Sequence, residues 1–345
     1  MKYLIEIHHG IGDVVQITGV VDSIRQTDPQ AYIALILNKN AYSALFQDDV
    51  RIQQIYRIDL RGQSKGEILK TVLALRKERF DYFILSPISN HKASCALAMM
   101  IGAKHSYGEQ LGPLAKYSHK YVAIARTDEH IVKRNFNVLA GLGDAFKESL
   151  PRLCCRSPLP VEVPKHSIGL CIGTSIPQKT WPLENYIQVA KYFSAKGYNI
   201  VLLGGKAEAL RYQEANGVHN QWINFLGELS LTGSAVATGA CDLVLGGDTG
   251  VMHMAAAMGV PTLTLFSCTN PQYHAPYSTQ SFYYNVDLPC QFCYATEQMR
   301  KCIKHRCLEE IDPDAISALA EKILTDNDFG AICKHRYSGA DHIDS

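Results

Sequence analysis

Short apolar runs alternate with stretches of helical spacing along almost the whole chain. Residues 3–8, 32–37, 53–59 and 82–85 read as buried strands, each bounded by polar or turn-forming residues. Between them, 14–25 sets Val14, Ile17, Val21 and Ile24 on one face, and 65–78, 92–101 and 130–141 show the same helical period. From 146 to 164 the period lapses around Pro151, Pro158, Pro160 and Pro164, which marks a linker. The alternation then resumes, with strands at 167–172, 199–203, 223–226, 243–245 and 262–265. The helices between them fall at 183–196, 207–216, 231–239 and 250–258. Strands alternating with helices define an α/β chain with parallel sheets. The expectation is two doubly wound Rossmann-like domains, 1–150 and 165–312, facing a central cleft. A last helix at 313–326 follows, then a polar, aperiodic tail at 327–345.

Composition narrows the class. The chain has 345 residues, 47% of them hydrophobic, which is ample for two packed cores. Its net charge is +1, with 19 basic against 15 acidic residues up to position 150 and 15 against 18 beyond it. That balance is too mild for a nucleic-acid partner, although the first half suits an acidic one. His91, Lys92, Lys104, His105, Lys116, His119 and Lys120 scatter positive charge there. An acid interrupts the short apolar start at Glu6, so no signal peptide is expected, and no apolar run reaches the ~20 residues of a membrane span. A cytoplasmic protein with reduced thiols is the expectation.

Candidate chemistry sits at strand ends. Gly246-Gly247-Asp248-Thr249-Gly250-Val251-Met252-His253 joins a strand to a helix rich in Ala and Met. Free N–H groups at a helix start suit a phosphate. Thr249 adds a hydroxyl, and His253 lies one turn further in. Asp248 would repel a phosphate but can accept hydrogen bonds from sugar hydroxyls; its alternative is a plain helix N-cap. Gly173-Thr174-Ser175 and Lys179-Thr180-Trp181-Pro182 follow another strand, with Lys179 a point charge for a diphosphate leaving group or a surface lysine beside a core Trp. Glu208 suits ribose hydroxyls or simply the first turn of its helix. Near the start, Gly10-Ile11-Gly12-Asp13 lacks the third glycine of a dinucleotide fingerprint. Gly12 lets a substrate approach the backbone, and Asp13 is either a general base or a helix cap.

Gly10-Ile11-Gly12-Asp13, Lys179-Thr180-Trp181-Pro182 and Asp248-Thr249-Gly250-x-x-His253 together resemble the bacterial ADP-heptose:lipopolysaccharide heptosyltransferase family, glycosyltransferase family 9. The resemblance runs over roughly residues 1–325. It implies a GT-B fold that moves a sugar from a nucleotide donor with inversion and without a catalytic metal. It further implies Asp13 as base, Lys179, Thr249, Gly250 and His253 on the diphosphate, and Asp248 on the donor sugar. A lipid-linked glycan acceptor follows, with peripheral contact at the cytoplasmic face of the inner membrane. The sequence departs from the family at Gly247, where Asn is common, at Val251, where Pro is frequent, and at Ser267-Cys268, where Gly-Pro is usual. A GT-B nucleotide-sugar epimerase and a non-catalytic nucleotide-sugar-binding protein are the alternatives.

Cys290, Cys293, Cys302 and Cys307 form C-x2-C-x8-C-x4-C beside His305. In a reducing compartment this spacing fits a structural zinc site or free thiols, with a disulfide as the lesser alternative.

Overall fold

The computed structural model describes residues 1–87, 91–109, 121–215, 221–325 and 335–338. Lys116, His119, Lys120 and most of the tail lie outside the described residues, as do the side chains of His91 and Lys92. The chain separates into two compact units, Met1–Cys155 and Arg156–Ser345.

The first unit runs β1 (Lys2–Ile7), α1 (Ile11–Gln16), α2 (Thr18–Thr27), β2 (Tyr32–Leu37), α3 (Asn40–Ser43), β3 (Gln54–Arg57) and α4 (Lys65–Glu78). It continues with β4 (Tyr82–Leu85), α5 (His91–Ile101), β5 (His105–Glu109), β6 (Tyr121–Ile124) and α6 (Ile131–Ala140). Its six strands lie in the order β3-β2-β1-β4-β5-β6, all parallel. Strands covered by helices on both faces need apolar residues at every position, and Leu4, Ile5, Ile7, Ile33 and Leu35 are fully buried. Local signals set the helix ends. Ser64 and Glu67 cap α4 reciprocally, the Glu67 N–H donating to Ser64 Oγ and the Ser64 N–H to Glu67 Oε2.

The second unit begins with β7 (Ser167–Cys171), α7 (Leu183–Ala195), β8 (Asn199–Leu203), α8 (Lys206–Glu214), β9 (Ile223–Asn224) and α9 (Leu231–Gly239). Then come β10 (Leu243–Gly247), α10 (Gly250–Ala257), β11 (Thr262–Leu265), α11 (Pro271–His274), β12 (Ser281–Asn285), α12 (Glu297–Lys301), α13 (Arg306–Glu309), α14 (Pro313–Thr325) and β13 (His335–Ser338). Its strands order as β13-β12-β11-β10-β7-β8-β9, again all parallel.

Four strands escape the periodicity. β5, β6 and β13 are four or five residues long, and β12 (Ser-Phe-Tyr-Tyr-Asn) mixes polar with aromatic residues. The tail therefore contributes a strand, β13 pairing with β12 through Phe282 opposite His335. α14 packs on α7 within its own unit, where Gln188 donates to Asp314 (2.7 Å) and Tyr192 to Glu321 (2.6 Å). The helix expected from Val14 instead starts at Ile11 and breaks at Ile17 into α1 and α2.

Both sheets reverse their winding once. In the first, β1 leads outward through β2 and β3 while β4 begins the other wing; in the second, β7 and β10 play those parts. Such switch points open a crevice at the carboxyl ends of the strands. The His8–Asp13 turn follows β1, and the two chemistry-bearing loops of the second half follow β7 and β10.

Candidate active site

The second switch point gathers a charged cluster. Gly246 and Gly247 end β10 where no side chain fits. A Cβ on Gly246 would lie 2.7 Å from Cys171 Cβ, and one on Gly247 would lie 2.4 Å from the Lys179 carbonyl. The two glycines let the loop after β7 close onto β10. Trp181 anchors that loop, fully buried, with its indole N–H donating to the Ile311 carbonyl (3.3 Å) and its ring edge-on to Tyr186. Lys179 is thereby held two residues away, and its Nζ meets Asp248 Oδ2 at 2.5 Å. Thr269, after β11, donates to the same oxygen (2.6 Å).

Asp248 is not the N-cap of α10. Thr249 holds that place in extended backbone (φ −146°, ψ 161°), and its side chain makes no capping bond. Burial alone would raise the Asp248 pKa, but the Lys179 charge and the bonds from Lys179 and Thr269 outweigh it and hold the carboxyl below its ordinary value. His253 lies buried with Nε2 4.0 Å from Asp248 Oδ1. Burial pushes its pKa down to about 4, so the imidazole is neutral at pH 7. Gly250 opens α10.

Thr174, Ser175 and Glu208 meet elsewhere in the same unit. They line a cavity of about 530 Å³ with Thr180, Trp181 and His305. Thr174 bonds its hydroxyl to Thr180 (2.9 Å) and to the Ile176 carbonyl (2.7 Å), and Ser175 is exposed. Glu208 lies across Gly173, where a Cβ would come within 2.3 Å of its Cγ. Its Oε2 accepts the Gly205 N–H (2.8 Å), so it caps α8 as a first-turn glutamate does.

In the first unit, Gly12 and Asp13 occupy the first turn of α1, and Asp13 Oδ2 accepts the Gly10 N–H (3.1 Å). At the end of β1, Glu6 is fully buried. Its Oε1 accepts from Ser94 (2.9 Å) and lies 3.1 Å from His8 Nδ1, while Oε2 has no partner among the described residues. Burial pushes Glu6 up to about 8 and His8 down to about 4, so the pair is a neutral hydrogen bond at pH 7. Lys104 pairs with Asp81 (2.7 Å) and His105 stacks on Tyr82, both at the amino end of β5, away from the ligand edge.

The zinc reading gains no support. Among the described residues no three His, Cys, Asp or Glu side chains are arranged to hold a metal ion. Cys290, Cys293, Cys302 and Cys307 are free thiols, and the Cys302 thiol turns to the Lys304 carbonyl (3.1 Å). Burial and the neighbouring thiols push Cys307 up to about 12.

Sequence reading missed Thr269 and Glu6. Thr269 follows a strand end and carries a hydroxyl, a usable signal. Glu6 sits inside an apolar run and is visible only as an acid out of pattern.

Residues 68–304 match the family model for glycosyltransferase family 9 (heptosyltransferase). The chain belongs to that family. Lipopolysaccharide heptosyltransferase 2 of Salmonella typhimurium is 32% identical over 117 residues, a stretch covering 32% of this chain and 34% of that protein. The chain thus matches about a third of the length of that relative. A glycosyl transferase of family 9 from Veillonella parvula has a similar fold (TM-score 0.79, 23% identity, covering 94% of this chain and 97% of that one). So does the E. coli heptosyltransferase WaaC with ADP (TM-score 0.75, 17% identity, 94% and 100% covered). The fold is GT-B. Among the described residues no helix is long and apolar enough to cross a membrane.

Proposed function

We propose that this protein transfers heptose from ADP-heptose to a lipopolysaccharide-core or related lipid-linked glycan, with inversion and with no metal in catalysis. The observation that carries the reading is the buried Lys179–Asp248 pair beside the start of α10, because it joins the two groups a sugar diphosphate demands. The acceptor hydroxyl attacks the anomeric carbon as Asp13 takes its proton. The bond to the diphosphate breaks with its electron pair, and Lys179, Thr249 and the amides at Gly250 meet the growing charge. Asp248 takes hydroxyls of the donor sugar, and neutral His253 adds a hydrogen bond. Thr174 and Ser175 flank the nucleoside side, where Glu208 keeps one oxygen for ribose beyond its bond to Gly205. Gly12 keeps the approach to Asp13 open.

Peripheral contact with the inner membrane is part of the same reading. Leu69 and Leu73, one turn apart on α4, are 54% and 51% exposed beside Lys70 and Lys77, a face that suits anionic headgroups.

Incubation with ADP-heptose and a heptose-deficient core acceptor tests the proposal. One heptose added per ADP released, with the anomeric configuration reversed by NMR, is the expected result. Donor altered without acceptor would instead indicate an epimerase, and binding without turnover a non-catalytic protein.

A further inference from the structure

The segment that carries the paired cysteines runs past the Lys179–Asp248 pair and is stapled to its neighbours. Phe292 donates its N–H to the Ser267 carbonyl (3.2 Å), and Tyr294 donates to the Cys268 carbonyl (2.8 Å). Ser267 in turn donates its hydroxyl to the carbonyl of Gln178 (2.6 Å), the residue before Lys179. The tie sets the Tyr294 ring 4.9 Å from Lys179 Nζ. Phe292 and Ala295 both take left-handed backbone (φ 59° and 63°), which side chains other than glycine disfavour. Two of the four such residues described therefore bracket Tyr294. Strain of this kind persists where the surroundings over-determine the backbone. Burial does not explain the placement, since Tyr294 stays 47% exposed.

We propose that Tyr294 is a positioning residue of the nucleoside-diphosphate site, its ring face holding the Lys179 ammonium where phosphate oxygens meet it. The inference rests on the donor reading given above. With Asp248 turned to the sugar, Lys179 must exchange a carboxylate for phosphate, and its four-carbon stem is free to swing into solvent. An aromatic face attracts the cation through its quadrupole without repelling the incoming anion. A second carboxylate there would hold the lysine but oppose the diphosphate.

Calorimetric titration with ADP, and with adenosine as the phosphate-free control, tests this on the whole chain. Tyr294→Leu weakens ADP binding about two- to fivefold while adenosine affinity stays within error. Tyr294→Phe, which keeps the ring face, recovers most of the loss. In a Lys179→Ala background, itself about tenfold or more weaker for ADP, Tyr294→Leu has no added effect. Equal losses in both backgrounds, or a loss shared by adenosine, overturn the inference alone. Failure of the unaltered chain to bind ADP overturns the donor reading and this inference with it. Thermal melting of each variant separates lost binding from lost fold.

Discussion

The two switch points are built alike and charged differently. In the first unit, the acid of β1 meets a histidine; in the second, the acid after β10 meets a lysine. Both acids are buried, Glu6 at 0% and Asp248 at 8% exposed. Glu6 nevertheless keeps its proton up to about pH 8, while Asp248 is held ionised. The difference lies in the partners. Glutamate at 4.5 and histidine at 6.5 are separated by too little proton affinity to resist desolvation, so the charge is surrendered on both sides. The Lys179 ammonium beside Asp248 keeps the aspartate charged against the same burial. One edge thus buries a neutral pair at the end of the strand that leads to Asp13. The other stores a cation ready for an anion.

The sharpest break in this comparison is at Asp13. Asp13→Ala lowers turnover by about 10²- to 10⁴-fold while ADP binding by calorimetry stays within about twofold; unchanged turnover removes the base assignment. Next, Lys179→Met leaves Asp248 buried without its counter-charge and costs on the order of 3 kcal/mol in urea unfolding. Adding Asp248→Asn recovers part of that loss, and no recovery would mean that the pair is not the cause. Gly247→Ala forces a Cβ towards the Lys179 carbonyl (2.4 Å) and costs about 1–3 kcal/mol with weaker ADP binding. A neutral result there would show that the two loops are not closed on each other.

The smallest effect sharpens the first edge. Glu6, raised from 4.5 to about 8, gives stability that is fully present below about 4.5 and fades as pH rises towards 8. His8, lowered from 6.5 to about 4, gives stability present above 6.5 that fades as pH falls towards 4. Glu6→Gln removes only the first term. Because the two contributions oppose each other between pH 5 and 8 and that of Glu6 is the larger, the unaltered chain is expected to lose stability across that window and Glu6→Gln to gain it, read from urea unfolding at each pH. An unchanged slope would mean that Glu6 is ionised in the folded state.

Much of this was legible before folding. Lys65–Glu78, Leu231–Gly239 and Thr262–Leu265 emerge with the bounds the sequence predicts, because local signals fix them: the Ser64 and Ser230 caps for the two helices and a fully buried run for the strand. β5 and β12 were not legible, being short strands whose polar residues mask the pattern. Spacing alone leaves Cys290 to Cys307 open between zinc and free thiols, because metal binding depends on where the sulfurs point.

Chain order alone determined the alternation of strand and helix, the glycine pairs where backbones touch, and the strand ends that carry Asp13, Lys179 and Asp248. Those are local properties, written in residue size, period and turn chemistry. Only the tertiary structure decided that Lys179 finds Asp248 across 69 residues, that Thr269 and Tyr294 join them, and that Glu6 stays neutral. Strand neighbours are chosen by how crossover helices pack, and charge states by how completely water is removed. Neither quantity exists until the sheets are assembled.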